Sequence, residues 1–367
     1  MKIFLLTAFL FSYVSFAQYT TPGTGITWNL DSLVLHSGGV VTGAFPNYTV
    51  THKIFVSADD LVRINPGSNL QFTTETSGFE VNGIFKCEGT ADSTITFSSP
   101  TQDSLGFYDG LRFNANTLSD TSVISYTYIE YSKYGMRCID ASPILTNSHI
   151  YKCGRGAQLS GSDSEISFNK IERCYEYGIL INLDSNPLIE ENEISFNNTQ
   201  GTSAKNQVST GLQGNNSPVI RNNVIYGGES TPTGAISLWV SGAANFSNMI
   251  AEGNIIYNNS FGITLLSSSN GVINAVIKDN LIYNNNINPN ALISGSGINI
   301  NGSPANQPVI TDNEIYGNWW GITIQNGSTV QAGPQPNIGN VENVSTEDDG
   351  GNIIYNNVQG ADTFDLY

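Results

Sequence analysis

One short pattern recurs along most of this 367-residue chain and restricts the folds open to it. In its clear copies an Asn is followed by any residue, an Ile, two further residues, and then Asn or Cys. The copies, including weaker ones, begin at residues 127, 148, 169, 192, 223, 254, 280, 313 and 352, and the smallest spacing is 21 residues. A unit this short cannot bury an apolar face alone, so successive copies must stack on one another.

Each unit also carries two other short alternating stretches. One opens with Gly, as in Gly178-Ile-Leu-Ile181, and the other follows Pro or a polar turn, as in Pro308-Val-Ile310. Three such stretches predict three strands per unit, each pairing in parallel with the next copy ~4.8 Å away. The sequence therefore predicts an all-β, single-stranded right-handed parallel β-helix of about twelve coils, with Ile and Val inside. A β-propeller blade needs ~40 residues, so the observed spacing excludes that fold.

The first residues have the features of a targeting segment. Met1-Lys2 gives a positive start, residues 3–16 are mostly apolar, and Ser15-Phe16-Ala17 supplies small residues at a cleavage site. The apolar stretch is shorter than the ~20 residues of a membrane-spanning helix. We predict a signal peptide at 1–17, an N-terminal cap or lead-in at 18–52 and the β-helix at 53–367. The alternative for the first segment is a buried strand.

The chain ends inside a coil, because Gly360 opens a strand that the remaining residues do not complete. We therefore expect the C-terminus to be truncated and the complete protein to continue past Tyr367. The alternative is that two copies cover the open end by end-to-end dimerisation.

The amino-acid composition limits the classes of binding partner. Only 12% of residues are charged, and 31 acidic against 14 basic residues give a formal net charge of −17. That sign argues against a nucleic-acid or anionic-membrane partner, since both require clustered Lys and Arg. No second hydrophobic span follows the signal peptide, so we expect no transmembrane segment after cleavage and a secreted or cell-surface location.

The stretch before residue 127 continues the strand pattern less regularly, over Lys53–Phe72, Phe79–Phe85, Thr94–Phe97 and Gly110–Phe113. Together with the repeated units, these residues resemble the secreted parallel β-helix repeat proteins of Bacteroidetes-type bacteria, a broad group that includes pectate-lyase-like and NosD-like proteins. The resemblance covers residues 53–367 and implies the fold and a Gram-negative-type source. It says little about activity, because the repeat encodes core packing and turn geometry.

Two repeated columns have both a structural and a functional interpretation. The Asn column is interpreted as a ladder in which a turn Asn tolerates the left-handed conformation and bonds to the neighbouring coils. The tyrosines follow the Ile and should point outward, where they either stack to shield the sheet or form a sugar-stacking platform. The aromatic ligand-binding candidates are Tyr226, Tyr257, Tyr283, Tyr316, Tyr355, Trp319 and Trp320.

Cys153 and Cys174 occupy equivalent positions in adjacent coils, 21 residues apart. Stacking places their Cα atoms at ~4.8 Å, a distance that a disulfide accepts, so the alternatives are a disulfide and a stack of buried thiols. Cys87 and Cys138 have no visible partner, and without a Cys/His cluster no metal site or cofactor is expected.

Candidate catalytic residues are few. Asp140, Asp163 and Asp184 follow the Gly-led strand in three successive coils and could converge at one corner, with Arg155 and Arg173 in the same coils. A polysaccharide lyase of this fold would use a carboxylate cluster, with Ca²⁺, and a basic residue; a glycoside hydrolase would use two or three carboxylates. The alternative is ordinary surface charge at solvated turns.

Three coils carry insertions before the strand Gly, the longest at 198–210 and 286–296. All expand the same turn, so we expect them to project from one edge, where they either bind a ligand or are tolerated surface loops. The sequence thus favours an exported, non-catalytic module that binds carbohydrate or a surface protein. The alternative function is a polysaccharide lyase or a glycoside hydrolase.

Overall fold

The computed structural model of the protein describes residues 18–103, 105–116, 118–228, 231–327, 332–340, 342, 345–360 and 362–366. The predicted signal peptide at 1–17 and the terminal Tyr367 lie outside the described residues. The described chain winds into a right-handed parallel β-helix, so the predicted fold is confirmed.

Three long sheets, which we name A, B and C, are visited in that order once per coil. The twelve described strands of sheet A agree with the predicted number of coils. They are Tyr19–Thr20, Lys53–Val56, Gly78–Val81, Tyr108–Asn114, Ser132–Ile139, Arg155–Ser160, Ile179–Asn182, Val208–Thr210, Ile236–Ser241, Ile263–Ser268, Ser296–Gly302 and Trp320–Asn326.

Sheets B and C complete each coil. The strands of sheet B are Thr27–Trp28, Leu61–Ile64, Ile84–Glu88, Val123–Ser125, Ile144–Thr146, Glu165–Ser167, Leu188–Glu190, Val219–Arg221, Ile250–Glu252, Val276–Lys278 and Val309–Thr311. The strands of sheet C are Val41–Ala44, Asn47–Val50, Asn69–Phe72, Ile95–Ser98, Thr127–Glu130, His149–Tyr151, Lys170–Glu172, Glu193–Ser195, Val224–Tyr226, Ile255–Tyr257, Leu281–Tyr283, Glu314–Tyr316 and Ile353–Tyr355. Two small ribbons pair Phe246–Ser247 with Val272–Ile273 and Val358–Gln359 with Asp362–Thr363.

A helix and a hairpin cover the N-terminal end of the stack. Helix Leu30–His36 begins at a capping box in which Asn29 and Ser32 exchange hydrogen bonds between side chain and backbone. Its two buried leucines pack on the core, and the antiparallel hairpin of Val41–Ala44 and Asn47–Val50 starts sheet C. A short 3-10 helix, Ser119–Thr121, lies further along the chain. The helix Leu30–His36 and the hairpin together close the N-terminal end of the solenoid against solvent.

The core changes along the axis. In the C-terminal coils, Ile256, Ile282 and Ile315 are in register and fully buried, forming the aliphatic column that the repeat predicts. In the N-terminal coils the interior holds aromatic rings, and the ring centroids of Phe72 and Tyr108 stack 4.3 Å apart. The irregular strand pattern before residue 127 therefore corresponds to a wider, ring-filled core.

An amide ladder runs through the turn between sheets B and C. The backbone N and Nδ2 of Asn254 both donate to Oδ1 of Asn280, at 3.0 and 2.9 Å, and Nδ2 also donates to the Ile220 carbonyl at 2.9 Å. The same ladder bonding links Asn169, Asn192, Asn223, Asn254, Asn280, Asn313 and Asn352. Thr127 and Ser148 extend it with single bonds, so the predicted ladder is confirmed.

The left-handed conformation lies one residue before the ladder, at Asn222, Asp279 and Asp312 among others. The expectation that the ladder Asn itself adopts it is wrong, because that residue must aim its amide along the solenoid axis. A second ladder, in the turn between sheets C and A, consists of Asn197, Asn259, Asn285, Asn318 and Asn357, with an interruption after Asn197.

The four cysteines are buried free thiols, so the buried-thiol alternative holds for Cys153 and Cys174 and the disulfide does not form. Sγ of Cys153 accepts from Ser132 at 3.1 Å and contacts carbonyls, while the backbone N of Cys174 donates to Asn197 in the second ladder. Burial raises the pKa of Cys153 to about 11, which keeps the thiol protonated.

Candidate functional site

The outward face of sheet A forms a groove along the solenoid. One outward column passes through ten coils in register, and its chemistry changes from charged to neutral towards the C-terminus. In order, the column consists of Glu80, Arg112, Arg137, Gln158, Leu180, Ser209, Ser237, Thr264, Asn299 and Thr323. A cleft lies towards each end of this groove.

The N-terminal cleft has a volume of about 560 Å³ and surrounds Tyr134. Three guanidinium carbons lie near the centroid of its ring, those of Arg112 at 5.2 Å, Arg137 at 5.1 Å and Arg155 at 5.9 Å. They meet because three consecutive strands of sheet A present them on the same face. Asp103, Leu105, Gly106 and Phe107 form one wall. The phenol ring thus holds three like charges together through cation–π contacts.

Carboxylates balance part of that charge. Asp109, whose side chain is only 8% exposed, pairs with Lys53 at 2.6 Å and with Arg112. Glu176 pairs with Arg155 on the opposite side of the cleft. In a chain of net charge −17, the basic side chains gathered at this cleft are Lys53, Arg112, Lys133, Arg137, Arg155 and Lys205.

Arg112 and Arg137 retain unused hydrogen-bonding capacity. The Nε atom of each is buried and has no hydrogen-bond partner among the described residues. A buried donor without an acceptor costs about 1–3 kcal/mol, and a hydrogen bond to a charged acceptor contributes about 1.5–3 kcal/mol. Because these Nε atoms are buried, an anionic group beside Tyr134 would meet the exposed parts of the guanidinium groups instead, and the side chains of Arg112 and Arg155 are 24% and 27% exposed.

The C-terminal cleft has a volume of about 390 Å³ and a different lining. Outward Asn299, Asn301 and Thr323 face residues 291–294 of a loop, with Trp320 at one end. Among the described residues that line it, none is charged. It offers amides, hydroxyls and aromatic surface, which suit an uncharged polar ligand.

The insertions project from one edge, as predicted. Asn198 donates to Thr233 at 2.9 Å and Asn288 donates to the Thr231 carbonyl at 3.4 Å, so consecutive loops touch. The expected loop at 198–210 is too long, because Val208–Thr210 is a strand of sheet A in which Gln207 replaces the usual Gly. The sequence analysis also missed that residues 99–103 and 105–107 expand the same turn, between Ile95–Ser98 and Tyr108–Asn114.

The three aspartates do not converge. Oδ1 of Asp163 accepts from the backbone N of Asn186 at 2.8 Å, and Oδ1 of Asp184 accepts from the backbone N of Asn215 at 2.7 Å. Oδ1 of Asp140 lies beside Gly161, where an added Cβ would be 2.1 Å away. Counted from the last residue of the preceding sheet A strand, Asp140 is the first turn residue, Asp184 the second and Asp163 the third. The structure thus assigns them to coil-to-coil contacts.

The candidate arginines lie elsewhere. Arg155 starts its sheet A strand, at the end opposite to these aspartates, and belongs to the N-terminal cleft. Arg173 follows Lys170–Glu172 in the turn before sheet A, with its guanidinium carbon 5.0 Å from the centroid of the Phe196 ring. No catalytic set therefore forms from the residues chosen by sequence.

The tyrosine column stacks on itself. Neighbouring ring centroids are 4.9 to 5.2 Å apart, and the rings are inclined by 1° to 17° to one another. The hydroxyl of Tyr226 donates to Glu193 and that of Tyr355 to Glu314, at 2.7 and 2.9 Å. Ring faces in the stack contact one another, so its geometry favours shielding of sheet C over a sugar platform.

Trp319 and Trp320 contact the 284–295 loop beside the C-terminal cleft. Their Nε1 atoms donate to the carbonyls of Asn288 and Ala291 at 2.8 and 2.6 Å. Of the proposed aromatic ligand residues, Trp320 lines this cleft, and Tyr226 and Tyr257 line a pocket of about 330 Å³ on sheet C. Trp239, which the sequence reading missed, is 39% exposed in the groove between the clefts.

Among the described residues, no group of three His, Cys, Asp or Glu side chains is arranged to hold a metal ion, so the Ca²⁺ considered for a lyase has no ligand cluster there. The helices in the described part of the chain are too short or too polar to cross a membrane.

Comparison with known proteins agrees with the fold. The right handed beta helix region model matches residues 113–270. The periplasmic alginate epimerase AlgG is similar in structure, with 14% identity over 84% of this chain and 82% of that chain and a TM-score of 0.50. A double mutant of that epimerase gives 14% identity, the same coverage and a TM-score of 0.52. A mannuronan C-5 epimerase A-module from Azotobacter vinelandii gives 13% identity over 84% and 88%, with a TM-score of 0.32. No curated protein matches the chain. The chain is a right-handed parallel β-helix protein.

Proposed function

We propose that this protein is exported, to the periplasm or beyond the cell, and that it binds a polysaccharide along the groove of sheet A without cleaving it. The arginine cluster around Tyr134 carries the proposal. A rigid parallel sheet places successive side chains ~4.8 Å apart, which gives a linear polymer an extended row of contacts. The similarity to alginate and mannuronan epimerases supports the same ligand class.

The N-terminal cleft would receive a sugar that bears a carboxylate. Guanidinium groups recognise carboxylates through paired, charge-assisted hydrogen bonds. Arg137 is suited to this role because its guanidinium carbon lies 5.1 Å from the centroid of the Tyr134 ring, beside Arg112 and Arg155. Asp109 and Glu176 would hold the neighbouring arginines in position without occupying Arg137.

Binding measurements test the proposal. Polyuronate oligosaccharides should bind the purified protein, and the double variant Arg137→Ala/Arg155→Ala should weaken that binding about tenfold or more, since two charge-assisted contacts are lost. Arg63→Ala/Arg221→Ala, which removes two arginines from sheet B, is the matched control and should retain affinity. Equal binding by the arginine variant and the wild type would contradict the proposal.

A second candidate function, polysaccharide cleavage, is favoured by one observation. Asp109 lines the N-terminal cleft as a nearly buried carboxylate beside Lys53 and Arg112, a set able to exchange protons with a bound sugar. Incubation with polyuronates, followed by ultraviolet detection of unsaturated products and a reducing-end assay, separates the two functions. Product that disappears in Asp109→Asn, while binding persists, would establish an enzyme.

A further inference from the structure

The C-terminal cleft differs from the N-terminal cleft in charge although both use the same sheet. The outward column that presents Arg112 and Arg137 in the first cleft presents Thr264 and Asn299 in the second. Six coil steps separate Arg137 from Asn299, or ~29 Å along the axis. The difference in charge between the two clefts does not come from the backbone, because the parallel strand pairing continues from one cleft to the other. It comes from the side chains alone.

Side chains of the second cleft both donate and accept hydrogen bonds. Nδ2 of Asn301 donates to Oε1 of Gln325 at 3.2 Å, and the Thr323 hydroxyl donates to Oδ1 of Asn299 at 3.0 Å. These groups are fixed to one another, yet each amide keeps further donor or acceptor capacity. Such a surface matches sugar hydroxyls, which also do both.

Apolar surface borders these amides. Leu292 and Ile293 of the loop are 82% and 74% exposed, and they line the cleft opposite Asn299. The Trp239 ring stands in the same outward column as Asn301, two coils earlier. Aromatic and aliphatic groups beside amides suit a ligand with apolar C–H faces and a polar rim.

The loop is held in place by the indoles. Trp320 donates to Ala291, and the Trp319 ring packs on Gly295 so closely that an added Cβ would be 2.0 Å from its Cδ1. Gly295 has a φ of +89°, which other residues rarely adopt. The wall of the cleft is therefore built before any ligand arrives.

We infer that the C-terminal cleft is a separate subsite for uncharged sugar units. The inference rests on the proposed function: the ligand is a heteropolysaccharide whose charged units contact the arginine cluster and whose neutral units lie between Trp320 and the 284–295 loop. A polymer of uronates alone would place a carboxylate against amides and leucine, where no basic side chain among the lining residues compensates it.

Calorimetric titration of the purified protein tests this with two probes: neutral oligosaccharides of glucose, mannose or xylose, and a polyuronate oligosaccharide. Asn299→Ala/Asn301→Ala should weaken a neutral probe about tenfold and leave the uronate within about twofold, since about 1 kcal/mol is lost per hydrogen bond. Arg137→Ala/Arg155→Ala should do the reverse. Raising salt from ~0.05 to ~0.5 M should weaken only the uronate.

The outcomes separate this inference from the proposed function. Loss of uronate binding in the asparagine variant, or neutral binding that the asparagine variant leaves intact, overturns the inference and leaves the proposed function standing. Failure of both probes with the wild type overturns both. Because the asparagine variant could misfold, Gln325→Glu is a second test: a negative charge in the cleft should leave a neutral probe within a few fold, whereas an anionic probe bound there would be repelled.

Discussion

The N-terminal and C-terminal coils of this protein share the same backbone arrangement. They differ in the side chains that fill the core and in those that line the groove. Before residue 127 the core holds rings such as Phe72, Phe79 and Phe97, and the charged cleft extends from these coils as far as Glu176. After residue 250 the core is mostly Ile, the turns carry two asparagine ladders, and the neighbouring cleft is neutral. The contrast shows that coil stacking fixes geometry, while interior volume and groove chemistry vary independently of it.

The largest expected effect concerns the two cores. Phe79→Ala should lower the free energy of unfolding by about 3–5 kcal/mol, because it opens a cavity among Phe72, Phe85 and Phe97. Ile282→Val removes one methylene from the aliphatic column and should cost about 0.5–1.5 kcal/mol. Urea denaturation midpoints check this, and equal shifts would erase the distinction between the two cores.

The next largest effect is expected from substitutions in the asparagine ladder between sheets B and C. Asn254→Ala removes the Nδ2 donor and the Oδ1 acceptor that link three coils and should destabilise the protein by about 1–3 kcal/mol. Ser148→Ala, its counterpart near the N-terminus, removes one acceptor from Thr127 and should cost less. Asn254→Asp keeps the acceptor and serves as the intermediate control. A larger loss for the serine variant would contradict the ladder as the C-terminal stabiliser.

A pH dependence of the protein's stability should arise in the N-terminal coils. Burial acts to raise the pKa of Asp60, but hydrogen bonds from Thr21 and from the backbone N–H groups of Gly23, Ile26 and Thr24 outweigh it and lower the pKa. A lowered folded-state pKa stabilises the protein above the unfolded value of ~3.9 and is lost as pH falls through the folded value. The thermal midpoint should therefore drop below pH ~4, and less steeply in Asp60→Asn than in the wild type.

The smallest effect is expected at the edge of the groove. Deleting 201–204 shortens the loop before Val208–Thr210 while sparing Asn198 and that strand, so the thermal midpoint should change by less than about 2 °C. A drop of ~10 °C in the thermal midpoint would show instead that the loop contributes to the stability of the coil stack. Deleting 199–210 is the informative contrast, since it also removes the sheet A strand Val208–Thr210 and should unfold the solenoid locally.

The repeated elements could be predicted from sequence because they encode local packing. The coil starts, including the weak ones at Thr127 and Ser148, and the buried Ile columns follow directly from the pattern. The strand Val208–Thr210 could not be recognised, because Gln207 stands where other coils have Gly.

The candidate site depends on register between coils, which one unit does not specify. Arg112 could be read as outward from the alternation in Gly110–Phe113, but its meeting with Arg137 requires a register shift between Gly110 and Leu111. Conversely, Asp163 and Asp184 lie apart because they are the third and the second residue of the turns that carry them. Residues in equivalent places of the repeat therefore need not be neighbours in space.

The asparagine ladder has a consequence for how such a molecule can change over generations. A bond from the backbone N of Ser148 to Asn169 joins residues 21 apart in sequence at 2.9 Å, and one from Asn313 to Asn352 joins residues 39 apart at 3.1 Å. Each coil from that of Asn169 to that of Asn352 presents the same acceptor to the coil before it, whatever the length of its loops. Whole coils can thus be exchanged or duplicated, because the same hydrogen bonds join each of them to its neighbour. Duplication of a coil can lengthen the groove or add a subsite without changing those hydrogen bonds.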